Sequence, residues 1–223
     1  MILKGLVSMI KLINDDCMNI MKDYDDNHFD LAICDPPYGV NITKYNKGWT
    51  TTKKCLAQSN IYGNNNWDNK KPDSAYFEEL FRVSKNQIIW GGNYFTDSLT
   101  SKRCWIVWDK ENDGTATADF EMAWTSFDSS ARIYRHLWRG FLQKGDYEKK
   151  IHIAQKPVKL YEWILNNYAE KGQKILDTHL GSGSIAIACH YYGVDLLGIE
   201  IDKEYYDKAK ERIDQLTRQE TLF

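Results

Sequence analysis

No apolar run in this 223-residue chain is long enough to cross a bilayer. Its first 13 residues are too short for a secretory leader and carry no cleavage site. The cytoplasm is therefore the expected compartment. The five cysteines, at positions 17, 34, 55, 104 and 189, form no Cys-x-x-Cys pair. That scatter argues against a zinc site or any other metal centre, and the apolar surroundings of Cys17, Cys34, Cys104 and Cys189 suit reduced core thiols. Charge of one sign is also missing: 29 basic residues face 31 acidic ones, net −2, which excludes a protein that is basic overall. Repeats, low-complexity tails and clear linkers are absent, so residues 1–223 read as a single catalytic domain.

What is present alternates between strand and helix patterns. Strands are expected at 10–14, 29–34, 87–91, 104–109, 120–126, 131–137, 174–177 and 196–201. Helices are expected at 74–83, 156–169, 184–192 and 203–219. Such alternation predicts an α/β fold with a mostly parallel twisted sheet and helices on both faces. The short connections among the runs at 104–109, 120–126 and 131–137 predict antiparallel neighbours there.

The apolar run Phe29-Asp30-Leu31-Ala32-Ile33-Cys34 ends abruptly in Asp35-Pro36-Pro37-Tyr38. Two prolines stop the strand, placing an acid, a rigid turn and an aromatic ring at its C-terminal edge. Open α/β sheets bind ligands at that edge. The group suits a planar substrate bearing an NH2: Asp35 can accept one N–H, the Pro36 carbonyl another, and Tyr38 offers a stacking face. Proline has no N–H, so this wall is rich in acceptors. The bland alternative is a strand that merely ends in a Pro-Pro turn.

A second strand end carries Asp177-Thr178-His179-Leu180-Gly181-Ser182-Gly183-Ser184, with a helix pattern starting at Ser184. Glycines let backbone approach a ligand, and a helix N-terminus presents unpaired N–H groups. Asp177 can hold an ammonium or orient the loop. The next strand ends in Gly198-Ile199-Glu200-Ile201-Asp202, and an acid at that tip commonly meets ribose hydroxyls. Together these features read as a nucleoside-cofactor site. A nicotinamide oxidoreductase would use such a loop too, but would leave residues 35–38 without a role.

These segments resemble the S-adenosylmethionine-dependent DNA amino-methyltransferases, whose signature is Asp/Ser/Asn-Pro-Pro-Tyr/Phe and whose cofactor loop is an acid followed by x-x-x-Gly-x-Gly. The signature precedes the loop here, as in the circularly permuted β class. His152-Ile153-Ala154-Gln155-Lys156-Pro157 is similar to that family's His-Pro-x-Gln-Lys-Pro element, and Asp15-Asp16-Cys17 to its Gly-Asp-Cys element. Departures from the pattern are Asp15 for glycine, Ile153 and Ala154 for proline and threonine, and Thr178-His179 for Pro-Phe. The resemblance implies a Rossmann-like methyltransferase fold and S-adenosyl-L-methionine as cofactor. It gives Asp35, Pro36, Pro37 and Tyr38 catalytic roles. Its cofactor-binding set is Asp16, Cys17, Asp35, Lys156, Asp177, Leu180, Gly181, Ser182, Gly183, Ser184, Glu200 and Ile201, with Asp16 against the adenine. His152 becomes a structural element.

The implied reaction is methylation of an exocyclic amine on a flipped-out base of double-stranded DNA. In the family Asp at the first signature position is commoner with adenine N6, and Ser with cytosine N4, which favours adenine here. N4-cytosine methylation, and a non-catalytic DNA-binding or anti-restriction protein on the same fold, are the alternatives. A polar stretch at residues 39–72 carries Lys44, Lys47, Lys53, Lys54, Lys70 and Lys71 against Asp68, interleaved with Tyr45, Trp49, Tyr62 and Trp67. Beside the signature, it is the candidate DNA-contacting loop. A second basic stretch runs from Arg132 to Lys159 and includes Arg139. The candidate DNA contacts are Lys44, Tyr45, Lys47, Lys53, Lys54 and Arg139; both stretches read otherwise as solvated surface. A homodimer and a cognate restriction endonuclease are the protein partners the resemblance suggests.

Overall fold

The computed structural model describes residues 8–40, 68–114, 118–139, 142–145 and 147–218. The elements are β1 (Ile10–Ile13), α1 (Cys17–Met21), β2 (Phe29–Cys34), α2 (Ser74–Val83), β3 (Ser84–Trp90), β4 (Trp105–Asp109), β5 (Phe120–Thr125) and β6 (Arg132–Arg135). They continue as β7 (Trp138–Arg139), β8 (Leu142–Gln143), α3 (Val158–Tyr168), β9 (Lys174–Asp177), α4 (Ser184–Tyr192), β10 (Asp195–Ile199) and α5 (Lys203–Thr217). Eight strands form one sheet in the order β1-β10-β9-β2-β3-β5-β4-β6, and β7 with β8 makes a separate hairpin.

Alternation along the central strands builds two cores. Leu31, Ile33, Ile88, Trp90, Ile175 and Leu196 point to the face covered by α3, α4 and α5. Ala32, Cys34, Ile89, Leu176, Leu197 and Ile199 point to the face covered by α1 and α2. Period-2 alternation with both faces covered gives the continuous apolar runs of the sequence. On α2, Tyr76, Phe77, Leu80 and Val83 are buried, each contributing about 1.5–3 kcal/mol by removal from water. Asp73 caps that helix at the Tyr76 N–H, and Asp202 caps α5 at the Glu204 and Tyr205 N–H groups.

The order of the strands decides where a crevice opens. From β2 the chain proceeds through α2 to β3 on one side; from β9 it proceeds through α4 to β10 on the other. β2 and β9 are adjacent and parallel. Their C-terminal ends therefore splay at the reversal of winding, the position where doubly wound sheets take ligands.

Two expectations are corrected, and one element is new. The short connections predict antiparallel pairing for the segment at 131–137, but β6 pairs parallel with β4, outside β5. β5 is antiparallel to both β3 and β4, so the edge is mixed. The reason is that the chain passes over β4 rather than turning back on β5, and a short connection does not fix which neighbour is chosen. The helix expected from 156 begins at Val158, with Pro157 as its N-cap. A residue before proline is pushed out of helical conformation, which leaves Lys156 ahead of the helix. The short helix α1, capped by Asp16, has too few residues to show a period.

Candidate functional site

A cavity of about 380 Å³ opens at the C-terminal ends of β2, β9 and β10. That size lies within the usual range for small-molecule sites. Asp35 to Tyr38 form one wall; Leu180, Gly181, Ser182, Ser184, Glu200 and Ile201 form another. His152, Lys156, Tyr161, His179 and Tyr205 close the remainder. Residues separated by most of the chain thus meet because β2 and β9 are neighbours.

Asp35 follows the last residue of β2 and is partly buried, its side chain 17% exposed. Its Oδ2 is ion-paired with the Lys156 ammonium, and its Oδ1 accepts the Tyr38 hydroxyl at 2.6 Å. A carboxylate has about four acceptor positions, so further donors from the cavity can still be accepted. Burial raises the Asp35 pKa above its ordinary value; Lys156 opposes this and Glu121 adds to it. The Lys156 side chain is 3% exposed and also meets Glu121 Oε2 at 3.0 Å. Burial would lower its pKa, but Asp35 and Glu121 hold it above the ordinary value. Its ammonium lies 5.1 Å from the Trp90 ring centroid, a cation–π contact on the same face.

Tyr38 is fixed by its surroundings. Its ring stacks on Tyr94 with centroids 4.8 Å apart and planes 12° from parallel. Beneath it, Gly91 has φ +68°, and a Cβ there would stand 2.2 Å from the Tyr38 ring. The glycine thus answers both a left-handed backbone and a close approach.

The glycine loop is held from both sides. Glu200 Oε2 accepts the Gly181 N–H at 2.8 Å, and Oε1 accepts the Asp202 N–H at 2.9 Å. Burial raises the Glu200 pKa against those hydrogen bonds. Arg212 of α5 donates to the Ser182 carbonyl at 2.8 Å and pairs with Glu148 at 2.6 Å. At Gly181, nothing lies within 3.8 Å of where a Cβ would stand, so the backbone there fronts open cavity; its nearest neighbours, at 3.9 Å, are the His152 ring and the His179 carbonyl. A nucleoside cofactor fits this donor set: an acid with acceptor positions to spare, open space over the loop, and apolar walls from Leu180, Ile201 and Tyr161.

Not every expected residue reaches the cavity. Asp16 caps α1 by accepting the Met18 N–H at 2.8 Å, although its charge is felt at His179. Cys17 is buried in the core beneath α2. Asp177 is 3% exposed and accepts the His179 N–H at 3.0 Å. Its pKa is raised to about 8, chiefly by burial and further by Asp35 and Glu200. Gly183 packs on α5, where a Cβ would meet Ile213 at 2.7 Å. None of these four lines the cavity: Asp177 and Gly183 support the glycine loop, whereas Asp16 and Cys17 serve α1 and the core beneath it. Lys44, Tyr45, Lys47, Lys53 and Lys54 lie outside the described residues, as does the Arg139 side chain. Within the second basic stretch, Lys156 is buried, Arg135 pairs with Asp109 and Lys159 with Glu162, while Arg132, Lys144 and Lys149 are exposed.

The sequence reading missed Tyr161, Tyr205, Glu121 and Lys110. Tyr161 and Tyr205 carry only a helical apolar period. Lys110 and Glu121, 2.5 Å apart, stand on different strand ends with no motif around them.

The model of the family described as DNA methylase matches residues 95–211, more than half of the chain. The chain belongs to this family of DNA amino-methyltransferases. The matched span holds the glycine loop and Lys156, and the signature at Asp35 lies before it. This methylase chain is 26% identical to the type II methyltransferase M.HpaI of Haemophilus parainfluenzae, over 92% of this chain and 74% of that protein. Its fold is similar to that of M1.HpyAVI solved as an S-adenosylmethionine complex, with TM-score 0.58 and 20% identity over 92% and 100% of the two chains. It is likewise similar to the PvuII DNA methyltransferase, cytosine-N4-specific, with TM-score 0.59 and 11% identity over 96% and 93%. The Rossmann-like methyltransferase fold expected from the sequence is therefore the fold observed. Among the described residues no helix is long and apolar enough to cross a membrane, and no group of acids, cysteines and histidines could hold a metal ion.

Proposed function

We propose that the protein transfers a methyl group from S-adenosylmethionine to the exocyclic N6 of an adenine flipped out of double-stranded DNA. One observation carries the reading: Asp35, with acceptor positions to spare, faces the same cavity as Gly181 and Glu200. The cofactor supplies an activated methyl on a sulfonium. Glu200 would take ribose hydroxyls, and the backbone around Gly181 would pass close along the nucleoside. Asp35 and the Pro36 carbonyl would accept the two N–H groups of the amine, favouring a more tetrahedral nitrogen and stabilising the positive charge that grows on it. Placing the amine in line with the methyl is the other contribution of this wall. Tyr38 would stack on the base, its ring already oriented by Tyr94 and Gly91.

The type II relatives support a restriction-modification setting with a cognate endonuclease in the cytoplasm, and residues 39–72 are the proposed DNA-contacting loop. The cytosine-N4-specific fold relative makes cytosine the second reading, because both bases offer the same amidine-like NH2 edge. Nucleoside mass spectrometry of unmethylated DNA incubated with protein and S-adenosylmethionine tests all of this. N6-methyladenine is the expected product. N4-methylcytosine would replace the base, and no modified nucleoside despite cofactor binding would overturn the DNA methylation reading.

A further inference from the structure

Four charges of alternating sign run from the surface to the signature: Lys110, Glu121, Lys156 and Asp35. The Lys110 ammonium meets Glu121 Oε1 at 2.5 Å, and Glu121 Oε2 meets Lys156 at 3.0 Å. Lys156 then pairs with Asp35. Glu121 is in the middle of neither sequence motif; it lies on β5, the strand that runs antiparallel to the rest of this region. Its side chain is one-quarter exposed, between a partly buried lysine, Lys110 at 15%, and the buried Lys156 at 3%.

We propose that Glu121 is a positioning residue for methyl transfer: by sharing the Lys156 ammonium it draws that charge off Asp35 and keeps Asp35 a strong hydrogen-bond acceptor. This rests on the methyltransferase reading above. The physical reason is competition. An ammonium paired to one carboxylate alone would neutralise it, and a neutralised Asp35 would do little for a nitrogen turning cationic. Divided between two carboxylates, the same ammonium still holds Asp35 in place but leaves part of its charge for the substrate. The other groups facing the chain fit this division. Tyr38 and Tyr161 face Asp35 as neutral hydroxyls, their pKa values pushed well up by burial. Asp177 is also near Asp35, raised to about 8. Lys150 faces Glu121 beside Lys110, lowered to about 8 by burial.

The geometry gives opposite signs for two variants. Glu121→Gln leaves Lys156 to Asp35 alone, so the Asp35 carboxyl should titrate lower. Lys110→Met leaves Glu121 more negative, so Asp35 should titrate higher. Carbon-13 NMR titration of aspartate-labelled protein without cofactor or DNA reads this, with shifts of about one pH unit expected. In turnover, Glu121→Gln should lower kcat by roughly threefold to tenfold with KM for S-adenosylmethionine nearly unchanged. The acid limb of its pH–rate profile should move to lower pH, and Glu121→Asp should restore part of the rate. Shifts of the same sign, or none, in the two variants would overturn the charge sharing. Opposite shifts with unchanged kcat would overturn its role in turnover. If Glu121→Gln fails to fold, Lys110→Met decides alone: an unmoved Asp35 titration sinks the proposal. A wild-type protein that methylates no DNA would instead overturn the methyltransferase reading, since the NMR measurement needs no reaction.

Discussion

The ring of Tyr38 occupies the space that a side chain on Gly91 would need, with 2.2 Å between Cε1 and the Cβ position. The end of β2 and the end of β3 therefore constrain each other directly. Parallel pairing of those strands, with Cys34 opposite Ile89, brings the two turns together, and only the missing side chain lets the signature ring lie flat on Tyr94.

Gly91→Ala should on this basis do more than strain a left-handed residue. The positive φ costs about 1 kcal/mol, and displacing a packed ring adds roughly 1–3 kcal/mol. Denaturant unfolding should show the sum, and methyl transfer should fall further than S-adenosylmethionine binding. An alanine variant with wild-type stability and turnover would refute the contact.

Asp35→Asn keeps the shape of the wall but removes the charge. We expect a loss of methyl transfer of about 10²–10³-fold, the scale for removing one group aimed at developing charge. Cofactor affinity, read by calorimetry, should change little because the loop and Glu200 are untouched. A variant with wild-type turnover would remove Asp35 from the reaction.

Gly181→Val fills open cavity rather than core, since no atom lies closer than 3.9 Å to its Cβ position. The branched side chain would also sit at φ +54°. S-adenosylmethionine affinity should drop at least about tenfold, or about 1.4 kcal/mol. Unchanged affinity in equilibrium dialysis would contradict the loop's assignment.

His152 is 8% exposed and packs edge-on against Tyr205 at 4.3 Å. Burial, helped by Lys156, lowers its pKa to about 4, so it is neutral in the folded protein at ordinary pH. The unfolded chain binds that proton near pH 6.5, so folding stability should fall as pH drops from about 6.5 towards 4. Its share of the loss is on the order of 3 kcal/mol at most. Urea unfolding across that range should show a shallower decline for His152→Gln than for wild type.

Much of this protein is legible in one dimension. The apolar run before Asp35 ends at two prolines, so both the strand and its end are local facts of stereochemistry. The same holds for Asp177 to Ser184, where glycines and a helix start follow a buried run. The expected bounds of β2, α2, β9 and α4 match those observed because each has its own stop signal: the prolines, Ser84 turning into strand, Asp177 and Gly193. Lys156 is marked only by the likeness of residues 152–157 to the family's His-Pro-x-Gln-Lys-Pro element, and the expectation that it opens the helix fails because Pro157 is the N-cap.

What the sequence alone determined, then, is which local pieces exist and which chemistry each carries, because propensity, caps and breakers act over a few residues. Only the tertiary structure decided that β2 and β9 are neighbours, bringing Asp35 to Gly181 and Glu200. It also decided that β6 pairs with β4, that Gly183 serves α5 rather than the cavity, and that Glu121 and Lys110 extend the charge chain from Lys156. Those contacts join residues far apart in the chain, and strand order, set by burying both faces of one sheet, leaves no mark in the spacing of the residues it brings together.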